Sequence, residues 1–288
     1  TTVSGNFNDF VFKRTLGSPN NTAMVTFEKL NVQNGNSGTS SGGIQVGSSK
    51  QVAIRDMQVG GFVSITTEDS AGNSSQNVFL ENCKLQTSTS GTGTTGLIIG
   101  GGGAMFGCDF VGSDFGVKAY GKGLHMSGNR IENCNTAYQL GLDSAGTNAG
   151  LSGFSITSGS IEGNLTGIDM AGTCSGGFLG ELGLLGHPTS GPHQDTYSHY
   201  GLRLRADMAQ SCLFNMSSQG QFDVSAISIA NASSRANNLF IACSITNAVG
   251  PGDVWTLPTN AYTSQFMKSK TQPIWTFAQL PSGGNVLE

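Results

Sequence analysis

Lys118, Gln139, Asp169 and Arg203 each hold the third position of a four-residue pattern that reads small, apolar, any, apolar. Alternation within the pattern turns its third residue away from the apolar ones, so stacked copies would form an outward track. The same position gives Val11, Gln45, Ser64, Ile98, Ser228 and Trp255 in the other copies. The next outward position is mostly small (Gly47, Thr66, Gly100, Gly141, Ala171, Ala230, Thr256), with Tyr120 and Arg205 as exceptions beside the charged four. At about 4.8 Å per copy the four span roughly 14 Å, close to three sugar units. Such a track suits an extended polysaccharide.

A long polar loop, residues 187 to 200, enters the strand that carries Arg203 and holds His187, His193 and His199, three of the four histidines. Two chemistries fit these residue types. Removing a proton α to a uronate carboxylate needs positive charge and a base within hydrogen-bond reach, which Lys118, Arg203, Arg205, His193 and Tyr197 would supply. Hydrolysis or transfer at a glycosidic bond needs two carboxyl groups about 5 Å or 6.5–9.5 Å apart. Asp169 with Asp195, or with Asp143 as second choice, would supply those. The candidate catalytic set is therefore Asp169, Arg203, His193, Tyr197 and Asp195, and the candidate binding set is Lys118, Tyr120, Gln139, Arg205, His199 and Trp255. A plainer account stands beside it: Asp169 and Arg203, on adjacent copies, form a cross-strand ion pair worth about 0.2–1 kcal/mol, and the loop touches a neighbouring subunit. His125, between Leu124 and Met126, reads as an outward surface histidine; Glu68 and Asp69 open a long corner loop, residues 66–70, that either brings them to a cleft edge or, as such carboxylates more often do, only caps a turn.

The elements that must position these groups are short strands. About nine copies of the pattern run from Gly43-Ile44-Gln45-Val46 to Asp253-Val254-Trp255-Thr256 at irregular intervals of about 19 to 34 residues. Phe10-Val11-Phe12 fills the slot one repeat earlier. A second pattern precedes the copies, with apolar residues at offsets 0, 2, 5 and 7, as in Val78, Leu80, Cys83 and Leu85. Two strands joined by a two-residue corner such as Glu81-Asn82 satisfy it. Each repeat then holds three short strands and buries too little to stand alone, so stacking must build one continuous core.

Composition agrees with this reading. Charged residues are 11% of the chain, and 43 glycines supply corners and loops. No segment is long enough to span a membrane. A net charge of −4 without a Lys/Arg cluster argues against a nucleic-acid surface. Cys83, Cys108 and Cys243 share one inward offset, where a stack of free thiols fits better than disulfides. Cys134, Cys174 and Cys212 fall nearer corners. No Cys/His spacing matches a zinc site, and no ligand motif supports calcium at Asp169 or elsewhere, so no cofactor is expected. Residues 1–256 read as one solenoid of about ten coils. Residues 257–288, rich in proline, read as an irregular segment that packs on or caps it. Thr1 falls close to mid-solenoid, as expected of a processed or recombinant piece.

In coil pattern, corner chemistry and inward corner Asn or Cys, residues 1 to 256 resemble the right-handed parallel β-helix superfamily, the pectate-lyase-like fold of polysaccharide lyases and hydrolases, fructotransferases and phage tailspikes. The resemblance implies an all-β right-handed parallel β-helix with substrate lying along the repeated-strand sheet. It implies a secreted, cell-surface or virion-surface protein that binds and cleaves polysaccharide, with homotrimeric assembly as in tailspikes. Its alternative is a non-catalytic structural or receptor-binding rod. The Asn-Thr-Asp, Asp-Asp, Gly-His-Gly and Arg-Ile-Lys set of polygalacturonases is missing from the sequence, so that activity is not expected.

Overall fold

A computed structural model describes residues 1–15, 24–36, 38, 41–69, 71–87, 92–186, 198–205, 209–210, 212–220 and 222–229, with strand fragments at 239–241, 244–245, 253–256, 265–267, 270–271 and 286–287. The described chain is all strand, without helices, and the strands pair in parallel. This is the architecture expected of a parallel β-solenoid.

One ladder holds ten strands in sequence order: Phe10–Thr15, Gly42–Gly47, Val63–Thr66, Thr95–Gly100, Phe115–Lys122, Thr136–Leu140, Thr166–Met170, Ser198–Leu204, Phe222–Ile229 and Asp253–Thr256. It is called the site sheet below. Between successive members the chain adds two short strands, such as Val78–Glu81 and Lys84–Gln86, each paired with its counterpart one repeat away. These two ladders merge in the long strands Phe178–Gly186 and Leu213–Gly220. Their pairing continues into Gln265–Met267, Lys270–Thr271 and Val286–Leu287.

The interior is a column of like residues stacked in register. Ile44, Ile65, Leu97, Val117, Tyr138, Ile168, Leu202 and Ile227 follow one another across the site sheet, all buried. Each fully buried aliphatic contributes about 1.5–3 kcal/mol, and no repeat owns enough of them to fold alone. Stacking supplies the missing cover.

Corners carry the polar groups that such winding must bury. Asn164 accepts from the Cys134 amide (2.8 Å) and donates to the Ile131 and Glu162 carbonyls (3.0 Å each). Asn129 does the same with the Cys108 amide and the Met105 carbonyl. Each amide thus satisfies backbone groups that the bend removes from the ladders. The preceding bend uses the left-handed region in repeat after repeat, at Lys29, Asp56, Asn82, Gly107, Gly128, Ser158 and Glu181 (φ 50–64°). The corner after Val78–Glu81 is therefore Asn82-Cys83, one residue later than the sequence pattern suggests. Lys29 is a poor occupant of this conformation, whereas Asn tolerates it. Lys29→Asn is expected to raise stability by ~0.5–1 kcal/mol, read as a higher urea midpoint.

Cys83, Cys108, Cys134, Cys174 and Cys212 are all free and buried, and Cys243 lies outside the described residues. Cys83 and Cys108 sit on adjacent repeats and give their S–H groups to backbone carbonyls, Cys83 to Ile54 and Glu81 and Cys108 to Phe106; the neighbouring Cys83 sulfur, together with burial, pushes the Cys108 thiol up. Burial pushes Cys134 up to about 12. Burial likewise raises Cys174, so Cys108, Cys134 and Cys174 are core thiols held protonated.

Candidate functional site

The site sheet places Lys118 beside Gln139, Gln139 beside Asp169, and Asp169 beside Arg203. These four occupy consecutive repeats as the sequence pattern requires. Both ends of the track differ from expectation. Gln45 lies beside Lys13 and Thr66, so Val11 and Ser64 leave the column. Val11 packs on the core, and Ser64 is fully buried, giving a hydrogen bond to the Gln86 carbonyl (3.3 Å). A period of two cannot fix the alignment of a strand against its neighbour, since a slip of two keeps each face intact. Trp255 is displaced by a single residue instead, which changes its face: it stands in register with buried Ile227, and Thr256 stands beside Ser228.

Two excursions leave the same end of the site sheet, after its third and sixth strands. In the first, Ser75 N–H bonds to Thr67 O (2.8 Å), Asp69 N–H to Asn73 O (3.0 Å), and Glu68 bridges Ser74 antiparallel. In the second, Ala149 N–H bonds to Gly141 O (3.0 Å), Asp143 N–H to Thr147 O (3.0 Å), and Leu142 bridges Asn148. Both turn on the same tetrapeptide, Asp69-Ser70-Ala71-Gly72 and Asp143-Ser144-Ala145-Gly146. The Asp carboxylate accepts from the amide four residues on (2.8 Å in each), and the glycine sits at φ 80° in each. They are two hairpins of one design, about 14 Å apart along the stack.

Asp69 accepts further from Ala71 N–H (2.9 Å) and Ser48 Oγ (2.9 Å). Partial burial pulls its carboxyl up, yet the bonds from Asn73, Ser48 and Ala71 hold it below the ordinary 3.8. Because the folded value is depressed, the stabilisation is present above pH 3.8 and is lost as pH falls through the lower folded value. Asp69→Ala is expected to cost about 1 kcal/mol near neutrality. The loss should fade in acid, as read by denaturant midpoints across pH.

Between the hairpins lies a group of charges with few mutual bonds. Tyr120 lays its phenol over Gly100, where a Cβ would collide with both Tyr120 Oη and Ser74 Oγ. Tyr120 Oη is 2.5 Å from Ser74 Oγ. Burial, then a hydrogen bond with Glu68, push the phenol far above its ordinary range. Glu68 is only 3% exposed, and its Oε1 has no partner among the described residues. The Oε1 of Gln45, also buried, has none either. Lys118 Nζ stands 4.1 Å from the Phe115 ring centroid, a cation–π contact. Burial lowers its pKa despite the opposing pull of Asp114, Glu68 and Asp143. Asp114 is spoken for by Gly93 N–H (2.6 Å) and Asn135 Nδ2 (2.7 Å).

A depressed lysine is a stability cost that the fold carries at neutral pH. Below the unfolded value of 10.5 the unfolded chain binds the proton more readily than the folded one. Lys118→Met is therefore expected to stabilise by about 0.5–1 kcal/mol near neutrality, after allowance for partial exposure. The gain should shrink as pH approaches 10.5, measured by urea unfolding.

The other arm of the track is internally paired. Asp169, 3% exposed, accepts two bonds from Arg205, Nε to Oδ1 at 2.9 Å and Nη2 to Oδ2 at 2.5 Å. The ion pair expected with Arg203 thus forms with Arg205 instead. Arg203 lies in direct register with Asp169, but its guanidinium stacks 4.8 Å from the Tyr200 ring centroid. Both Asp169 oxygens are engaged by the Arg205 guanidinium, one bond to each. No protein-family profile, curated protein or solved structure matches this chain. Function must therefore be argued from this geometry alone.

Of the other candidates, His199 is exposed at the head of its strand, its amide bonded to Leu165 O (2.7 Å). His125 is an exposed strand residue whose Nδ1 lies 2.9 Å from Ser155 Oγ. His193, Asp195, Tyr197 and His187 lie outside the described residues. Among the described residues no three His, Cys, Asp or Glu side chains form a metal-binding group. Of the two carboxylates for which the sequence left a cleft edge or a turn cap open, Glu68 is the buried one beside Tyr120. Asp69 caps the turn, and the repeated Asp-Ser-Ala-Gly was the signal that separates the two.

Proposed function

We propose that this chain is a right-handed parallel β-helix of the pectate-lyase-like kind that lays an extracellular polysaccharide along the site sheet and cleaves it by glycosidase-type chemistry. One observation carries the reading: Glu68, Tyr120 and Lys118 are desolvated together on the outward face, between two hairpins of one design, without neutralising one another in a close ion pair. Desolvated, under-partnered ionisable groups are costly, and they concentrate where chemistry needs them. In this reading Glu68 is the general acid at the leaving glycosidic oxygen, and Tyr120 orients its carboxyl group through the phenol hydroxyl. Lys118 holds sugar hydroxyls beside it while water attacks the sugar carbon as the bond to the leaving oxygen breaks, its proton passing to solvent; Asp143, about 14 Å along the stack, is too far to be the paired carboxylate. Asp169 and Arg205 serve to position the neighbouring repeats.

Release of reducing ends from a panel of neutral and uronate-containing polysaccharides, with ultraviolet absorbance for unsaturated products, tests this. Reducing ends without that absorbance, lost in Glu68→Gln by about 10²-fold or more, support hydrolysis. Growth of absorbance would instead establish a lyase. The Asp169–Arg205 pair favours a second reading, a non-catalytic rod on a cell or virion surface, assembled as a trimer, whose surface charges satisfy one another. Silence across the panel, with a trimer in solution, would select it.

A further inference from the structure

We propose that the solenoid carries a second binding face, outside the site sheet, on which two phenylalanine platforms hold an uncharged, extended glycan. The face lies on the ladder through Val78–Glu81, Gly103–Phe106, Leu124–Ser127, Ser155–Thr157 and Phe178–Gly186. On these strands Leu80, Met105, Met126, Ile156 and Leu179 are buried in the core, so their chain neighbours face outward. One outward column reads Phe106, Ser127, Thr157 and Gly180 over four consecutive repeats. The column beside it reads Ala104, His125, Ser155 and Phe178.

Both ends of this ground are aromatic. Phe106 is 39% exposed, and its ring centroid sits 5.8 Å from that of Phe79, which Arg55 covers at 5.1 Å. Phe178 is 37% exposed and lies over Gly180, where a Cβ would come within 3.0 Å of three of its ring atoms. Only glycine lets that ring rest on the strand. The first column therefore runs ring, hydroxyl, hydroxyl, ring, with the rings about 14 Å apart, the length of about three sugar units. Ser155 is bonded to His125 (2.9 Å), whereas neither the Ser127 nor the Thr157 hydroxyl is taken by another described residue. A pyranose chain answers this order, its C–H faces stacking on the rings and its hydroxyls meeting the serine and threonine between them.

Charge and area select this occupant. The two columns contain no carboxylate, lysine or arginine over these four repeats. Formal charge begins one repeat away with Glu81, which Arg55 pairs at 3.6 Å. A charged polymer would lose hydration here with no opposite charge to meet. The exposed parts of the rings offer roughly 60–100 Å² each, parted by hydroxyls. That is far under the few hundred Å² of contiguous apolar surface that marks a protein-docking patch, and a stable dimer buries about 800 Å² per partner. Both rings are accessible as the fold stands, and binding here is independent of any cleavage at Glu68.

Calorimetric titration of the intact protein with neutral gluco-, manno- and xylo-oligosaccharides of increasing length, and with oligogalacturonate, tests this. A neutral series should bind, its affinity stepping up about tenfold once the chain has about four units and reaches both rings. Phe106→Ala and Phe178→Ala should each abolish that step and weaken the longest oligomer about tenfold, with the urea midpoint little changed. Gly180→Ala, which displaces the Phe178 ring without removing it, should weaken the same oligomer several-fold. Unchanged binding in a variant carrying both Phe106→Ala and Phe178→Ala would overturn the assignment. So would tighter binding of oligogalacturonate, or binding of no glycan in any series, and reducing-end release then judges cleavage at Glu68 by itself. A dimer that dissociates in the double variant would also overturn it, since the face would then belong to a second copy of the chain.

Discussion

Glu68→Gln is expected to reduce glycan cleavage by about 10²–10⁴-fold, the range of a lost general acid, with little change in the unfolding midpoint. The amide preserves the side-chain shape and can still accept from Tyr120, so the hairpin and its Ser74 contact should persist. What disappears is the exchangeable proton. KM should move much less than kcat if the residue acts in the transition state, because an interaction made only there lowers kcat and kcat/KM alike. Tyr120→Phe separates orientation from proton donation. It removes the hydroxyl shared with Glu68 and Ser74 but leaves the carboxyl, so a fall of about tenfold is expected, and Asp69→Ala should fall less still. If Glu68→Gln retained wild-type kcat, the acid assignment would be wrong whatever the substrate. If Asp143→Asn alone were inactive, the chemistry would belong to the second hairpin.

The stacking architecture was legible because its signal is redundant. Each repeat restates the same apolar alternation, and inward residues such as Ile44, Leu97 and Ile168 stack as that alternation demands. Consecutive repeats also put Lys118, Gln139, Asp169 and Arg203 in line, since their four copies share one strand phase. Where the copies were irregular, the pattern could slide by two without changing faces, and Val11 and Ser64 were misplaced for that reason, whereas Trp255, in the loosest copy, is out of phase by one residue. The partner of Asp169 was not legible at all. Register identifies which Cα atoms are neighbours, but a long arginine two residues away reaches as far as the one directly opposite, and Tyr200 offers Arg203 a competing aromatic face. Glu68 was hidden by a different cause. A carboxylate next to a turn usually caps it, and only the matched tetrapeptide after Asp69 and Asp143 shows that the cap is one residue further along.

Arg205→Ala should destabilise the protein by about 2–3 kcal/mol, while Arg203→Ala should cost under about 1 kcal/mol. The asymmetry follows from burial. The Asp169 side chain is 4% exposed and takes two charge-assisted bonds from one guanidinium, so removing Arg205 strands a carboxylate in a site from which water is largely excluded. Arg205 is itself 43% exposed, which lets solvent screen part of the loss and keeps the figure below that of a fully buried pair. Arg203 gives up only a stacking contact on Tyr200. Asp169→Asn should cost less than Arg205→Ala, because the amide oxygen still accepts from Arg205 and no charge is left stranded. Urea unfolding with unchanged m values would read these as midpoint shifts. The double variant Asp169→Asn with Arg205→Ala should recover part of the Arg205→Ala loss, since the stranded charge is gone. Equal costs for Arg203→Ala and Arg205→Ala would show that Asp169 shares its bonds between the two arginines in solution, and would return the direct cross-strand pair to the account.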